Sequence, residues 1–161
     1  LASKVNKSIN IWKVRFWLLL FSSTAQEYKQ TIMDLHVEET LGERVINIYS
    51  IAKFVSKKIK GMKTPRPSEI YQTLTKLTDE EILLTCVALG DKLAYLIFAY
   101  LEKDRYIKPA LNGQDLKKMG VPASEEMGDL LKEILYAKLD GKLLTKKQEE
   151  EYVRDRIQQK G

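Results

Sequence analysis

Apolar residues along this chain recur at helical rather than strand spacing, and a repeated polar signal marks where the helices begin. Thr24/Glu27, Thr40/Glu43, Thr78/Glu81 and Thr145/Gln148 each place a hydroxyl three residues before Glu or Gln. The hydroxyl accepts from a first-turn amide while the longer side chain reaches back, so two donors that the helix leaves unpaired are satisfied. After Thr40, the residues Val45, Ile46, Ile48, Tyr49, Ala52 and Val55 approximate a 3.6-residue period up to Gly61. One long amphipathic helix is predicted there.

Lys63-Thr64-Pro65-Arg66-Pro67 cannot continue that helix, because each proline lacks an amide donor and restricts the residue before it. A boundary is expected at this point. Beyond it, Ser68 to Lys76 reads as a short helix, Asp79 to Leu89 as another ending at Gly90, and Asp91 is expected to cap a third. Through Leu93, Leu96, Ile97, Phe98, Tyr100 and Leu101 this third helix is apolar nearly all round, which predicts a central place. After Tyr106 the helices shorten. Asn112 is placed to cap Gly113 to Met119, Gly120 to end it in a left-handed turn, and Ser124 to cap Glu125 to Leu139, which stops at Asp140-Gly141. A charged helix follows Thr145. No stretch alternates as a strand would, so the expected fold is all-α, a multi-helix array with a C-terminal helical hairpin subdomain. Its expected parts are an N-terminal helical segment (1–64), a helical body (65–107) and a helical tail (108–161).

At 161 residues, 44% apolar and 30% charged, the composition is that of a globular protein and excludes a disordered or collagen-like chain. The most apolar run, Ile9 to Phe21, is interrupted by Lys13 and Arg15 and falls short of the roughly 20 residues a membrane span needs. It is not read as an anchor. The chain starts at Leu1 and is expected to be a piece of something longer. A lone Cys86 and a lone His36 exclude an internal disulfide and a clustered His/Cys metal site, which points to a reducing, cytoplasmic setting.

The net charge of +5 is unevenly spread. Residues 1–26 carry Lys4, Lys7, Lys13 and Arg15 with no acid, and residues 53–66 carry Lys53, Lys57, Lys58, Lys60, Lys63 and Arg66 with none. Residues 103–120 add Lys103, Arg105, Lys108, Lys117 and Lys118 against two acids. Concentrated positive charge attracts a phosphate backbone by releasing its counterions, whereas single lysines on helix faces are simply solvated. Tyr71, Tyr100 and Tyr106 lie near the basic stretches, although tyrosine at helical spacing more often belongs to a core.

Catalytic signals are absent. Phosphoryl or nucleotidyl transfer needs carboxylates paired on divalent metal, and the chain has no Asp-x-Asp, no Walker loop and no dinucleotide fingerprint. The clusters Asp79-Glu80-Glu81 and Glu149-Glu150-Glu151 fall in first helical turns, where the helix dipole accounts for them. No catalytic residue and no metal ligand is therefore assigned.

One constellation has functional shape. Asn112-Gly113-Gln114-Asp115-Leu116-Lys117-Lys118-Met119-Gly120-Val121-Pro122 leads into Ser124-Glu125-Glu126-Met127-Gly128-Asp129-Leu130-Leu131 and ends at Leu139-Asp140-Gly141. This is a short helix, a Gly-x-Pro turn and a second helix whose N-terminal amides are available to an anion, although Glu125 and Glu126 oppose one. The pattern, with Gly113, Asp115, Gly120, Pro122, Ser124 and Gly128 as its hairpin positions, resembles the C-terminal region of bacterial class II tRNA nucleotidyltransferases. These are the CCA-adding and A-adding enzymes related to poly(A) polymerase. The similarity runs from about residue 65 to 153, and residues 1–64 match only as a generic helical segment. Where the family's turn reads Pro-Gly-Pro, this chain has Pro122-Ala123-Ser124.

The resemblance implies a body and tail that grip tRNA for a catalytic head lying elsewhere in a parent chain. That head would use Mg and ATP or CTP, and no cofactor is expected in this chain, which would be inactive alone. The residues expected to touch RNA phosphates are Lys57, Lys58, Lys60, Lys63, Arg66, Lys103, Arg105, Lys108, Lys117 and Lys118. The competing reading is a helical packing or oligomerisation module without RNA contact, motivated by Trp12, Phe16, Trp17 and Leu20. A homo-oligomer is compatible with either reading.

Overall fold

A computed structural model of the chain describes residues 25–34 and 39–159. Thr24 of the first pair, the apolar run from Ile9 to Phe21, the cations before residue 25 and His36 lie outside them. The described residues form α1 (Ala25–Asp34), α2 (Glu39–Lys60), α3 (Pro67–Leu74), α4 (Asp79–Leu89) and α5 (Asp91–Glu102), then a 3-10 turn at Asp104–Tyr106. They continue with α6 (Gly113–Lys118), α7 (Glu125–Leu139) and α8 (Lys146–Gln158). There is no strand among them, and the architecture is all-α.

The long amphipathic helix is present as α2, whose Ile48, Tyr49, Ala52, Val55 and Ile59 are buried. It packs on α4, which in turn packs on α5, while α3 packs on α5. One buried cluster joins them through Val55, Ile59, Ile70, Leu74, Ile82, Leu89, Ile97 and Tyr100. A second cluster, built from Leu111, Leu116, Val121, Met127, Ile134, Leu143 and Val153, holds α6, α7 and α8 together. Contacts between α3 and α7 link the two. No helix among the described residues is long and apolar enough to cross a membrane.

Capping follows the sequence in most places. Thr78 and Glu81 form a reciprocal capping box, as do Thr145 and Gln148. At α6 the Asn112 side chain accepts from the amides of Gln114 and Asp115, and Asp115 accepts from the Asn112 amide. Gly120, at φ 92°, ends α6: its amide donates to Lys117 and that of Val121 to Leu116, which ties off two orphan carbonyls. Gly141 repeats the arrangement after α7, with Lys142 donating to Ala137.

Four expectations are corrected. Thr40 lies inside α2, which is already helical at Glu39, so it is not the residue before the first turn. Asp91 occupies the first turn of α5 and Gly90 precedes it, at φ 75°. Ser124 stands at the start of α7 with extended backbone but makes no capping bond with its side chain; only its carbonyl is used, by the Met127 amide. Helix α5 is also less central than its composition suggests. Leu96, Ile97, Tyr100 and Leu101 are buried, yet Tyr95 faces solvent.

Candidate nucleic-acid interface

Three of the ten cations expected to contact phosphate are engaged within the protein. Lys60 Nζ donates to the Ala88 carbonyl at 2.6 Å, closing the C-terminal end of α4 with positive charge, where the helix dipole favours it. Arg66 pairs with Glu69 at 3.0 Å and lies 3.9 Å from Asp140. The hydrogen bond to Glu69 raises the Arg66 pKa, and the same contact holds the Glu69 carboxyl below its ordinary value. Arg105 pairs with Asp79 at the start of α4, 3.4 Å away.

The other seven, Lys57, Lys58, Lys63, Lys103, Lys108, Lys117 and Lys118, are exposed and form no ion pair with described residues. Lys57 and Lys58 stand in the last turn of α2 and Lys117 and Lys118 in the last turn of α6, positions that the helix dipole favours by itself. Lys60 meets α4 at Ala88 and Arg105 meets it at Asp79, nine residues apart, which is about 14 Å at 1.5 Å per residue.

Around the Gly-x-Pro turn the electrostatics are opposite. Gly120, Val121 and Pro122 line a groove of about 420 Å³ with Leu130 and Ile157, and its polar lining is Glu126, Asp129, Glu133 and Arg156. Arg156 is itself paired with Glu133 at 2.7 Å. The acids outnumber the cation, so this groove disfavours a phosphate. Of the remaining hairpin positions, Gly113 faces Met127, whose Sδ would lie 3.5 Å from an added Cβ, and Gly128 is exposed with open space around it. Asp115 serves the α6 cap and lies 3.9 Å from Lys146.

Two carboxylates turn out to organise the site region. Glu149 is fully buried; its Oε2 accepts from the Ala110 and Leu111 amides at 2.8 and 2.9 Å, and its Oε1 accepts from Lys138 at 2.7 Å. Glu149 stands in the first turn of α8, as expected, and in addition bridges α8 to the segment before α6 and to α7. Asp140 accepts from the Ser68 amide and the Ser68 hydroxyl, both at 2.9 Å. An acid is unfavourable at the C-terminal end of its own helix, α7, and here it serves as the N-terminal cap of α3 instead.

Among the aromatics, Tyr71 and Tyr100 pack edge to face at 5.9 Å inside the molecule, and burial pushes the Tyr100 phenol up. Tyr106 stands out at 63% exposure. Cys86 is half-buried against the first cluster, and burial pushes its thiol up as well. Among the described residues, no group of three or more His, Cys, Asp or Glu side chains is placed to hold a metal ion.

Compared with known proteins, the chain is 25% identical over 150 residues to an A-adding tRNA nucleotidyltransferase of Geobacter sulfurreducens. The match covers 90% of this chain, more than the span its motifs carry, and 17% of the length of that relative. No family model matches the chain, and no solved structure matches it. The likeness supports a relationship to the tRNA nucleotidyltransferases.

Proposed function

We propose that this chain is the tRNA-binding helical body and tail of a class II tRNA nucleotidyltransferase of the poly(A) polymerase family. It positions tRNA for 3′-end addition of A or CCA by a catalytic head outside the chain, with Mg and ATP or CTP bound at that head. The observation that carries the reading is the 150-residue likeness to an A-adding enzyme, a protein whose name places its action on tRNA. Seven exposed lysines without carboxylate partners fit shape-driven contact with phosphates, in which positive charge fixes position and reads no sequence.

A filter-binding titration with an unmodified tRNA transcript tests this. Affinity is expected to fall roughly 10- to 1,000-fold between about 50 and 200 mM salt, as counterion release at a few phosphates requires. Association that is absent, or that ignores salt, would sink the reading and leave the packing-module alternative. Incubated with tRNA, ATP, CTP and Mg, the chain alone is expected to incorporate no nucleotide; incorporation would overturn the division between head and body.

A further inference from the structure

The three tyrosines near the basic stretches have different fates, and the difference has geometric content. Tyr71 and Tyr100 form an edge-to-face pair within the first buried cluster. The Arg105 guanidinium lies 6.0 Å from the Tyr100 ring centre and 5.7 Å from the Tyr106 ring centre. Asp79 lies 3.4 Å from that guanidinium and pairs with it. Successive contacts thus run from Tyr71 and Tyr100 in the core through Arg105 to the exposed ring of Tyr106.

The backbone beneath Tyr106 is constrained. Its amide donates to the Lys103 carbonyl at 3.1 Å, the Ile107 amide donates to Asp104, and the 3-10 turn packs on α3 and α5. The other large exposed rings among the described residues differ: Phe54 and Tyr95 lie on helix faces, and no cation of the described residues is stacked on either. Lys103 and Lys108 flank Tyr106 in sequence, exposed and without an ion pair among described residues. An exposed aromatic ring on an ordered turn, flanked in sequence by free cations, matches a nucleotide, which has a planar base to stack and a phosphate to neutralise.

We propose that Tyr106 is a stacking platform for one unpaired base of a bound RNA, with Lys103 and Lys108 holding the adjoining phosphates. The inference rests on the RNA-binding reading above and adds to it a single-stranded contact. Stacking on a tyrosine face tolerates any base, so the platform adds affinity and register without reading sequence.

The test uses the 161-residue chain with two probes, an unmodified tRNA transcript and a ten-nucleotide unstructured RNA, each measured at two salt concentrations. Tyr106→Ala is expected to weaken binding of both probes roughly 5- to 100-fold, as for loss of one stacked base, with the salt slope unchanged. Tyr106→Phe retains the ring and is expected to bind like the wild type, whereas Lys108→Ala lowers the salt slope by about one. Far-ultraviolet circular dichroism confirms that each variant is folded. If Tyr106→Ala binds both probes as tightly as the wild type, the platform is overturned while the RNA-binding reading stands. If the wild type binds neither probe, both are overturned.

Discussion

The helices before residue 107 and those after it are held together by different means. In the first region, α2 runs for 22 residues, and α2 to α5 bury a cluster that is aliphatic apart from Tyr71, Tyr100, Met62 and the half-buried Cys86. Apolar area does most of the work there. In the second region α6 is six residues long, too short to be stable by itself, and the cluster it joins is smaller. Polar bonds fill the gap: a reciprocal cap at Asn112, left-handed turns at Gly120 and Gly141, and the buried Glu149 with three donors. The tail thus gains its shape from a few directional contacts and is vulnerable wherever one of them is removed.

The sharpest way to break this comparison is Glu149→Ala. It leaves two amides and the partly exposed Lys138 ammonium without their acceptor, an expected cost of about 2–4 kcal/mol, below that of a fully buried pair. Urea unfolding followed by circular dichroism reads the loss directly. A cost under about 1 kcal/mol would show that apolar contacts of the second cluster suffice, and the contrast between the regions would collapse.

Asp140→Ala is the next largest in effect, and it addresses the joint between the regions. The Ser68 amide and hydroxyl lose their acceptor and Arg66 loses one of its two carboxylates, an expected loss of about 1–3 kcal/mol. Because these bonds cross from one cluster to the other, the variant is expected to unfold over a broader transition than the wild type, with a lower m-value. An unchanged m-value together with an unchanged midpoint would mean that the apolar contacts of α3 with α7 couple the regions unaided.

Why those two carboxylates escaped sequence reasoning follows from distance along the chain. Thr78/Glu81, Thr145/Gln148 and the cap at Asn112 were legible because each bond closes within three residues, where helix geometry alone dictates the partner. The Ser68 to Asp140 bonds span 72 residues, and those from Ala110 and Leu111 to Glu149 span 39 and 38. Nothing local distinguishes Glu149 from its neighbours Glu150 and Glu151 except its phase on α8, shared with the fully buried Val153 four residues on. That phase was the available signal. For the interface, the sequence located the cations but not which were engaged, since Lys60, Arg66 and Arg105 each meet partners fixed by tertiary packing. The exposure of Tyr106 against the burial of Tyr100 was hidden for the same reason.

The smallest expected effect sharpens the comparison, because the first region also holds a buried carboxylate. Asp104, at 8% exposure, has no side-chain hydrogen bond among the described residues, whereas Glu149 has three. Burial raises the Asp104 pKa, against an opposing pull from Lys103. The folded state therefore holds that proton more tightly than the unfolded chain. Its charge opposes folding above the ordinary carboxylate range, and the penalty disappears as pH falls through that range. Asp104→Asn is then expected to melt higher than the wild type at pH 7, with the gap closing near pH 4. A variant less stable than the wild type at pH 7, or a gap equal at both pH values, would show Asp104 to be bonded as Glu149 is. One region tolerates an unsatisfied acid because its apolar packing exceeds the penalty, while the other needs its acid satisfied.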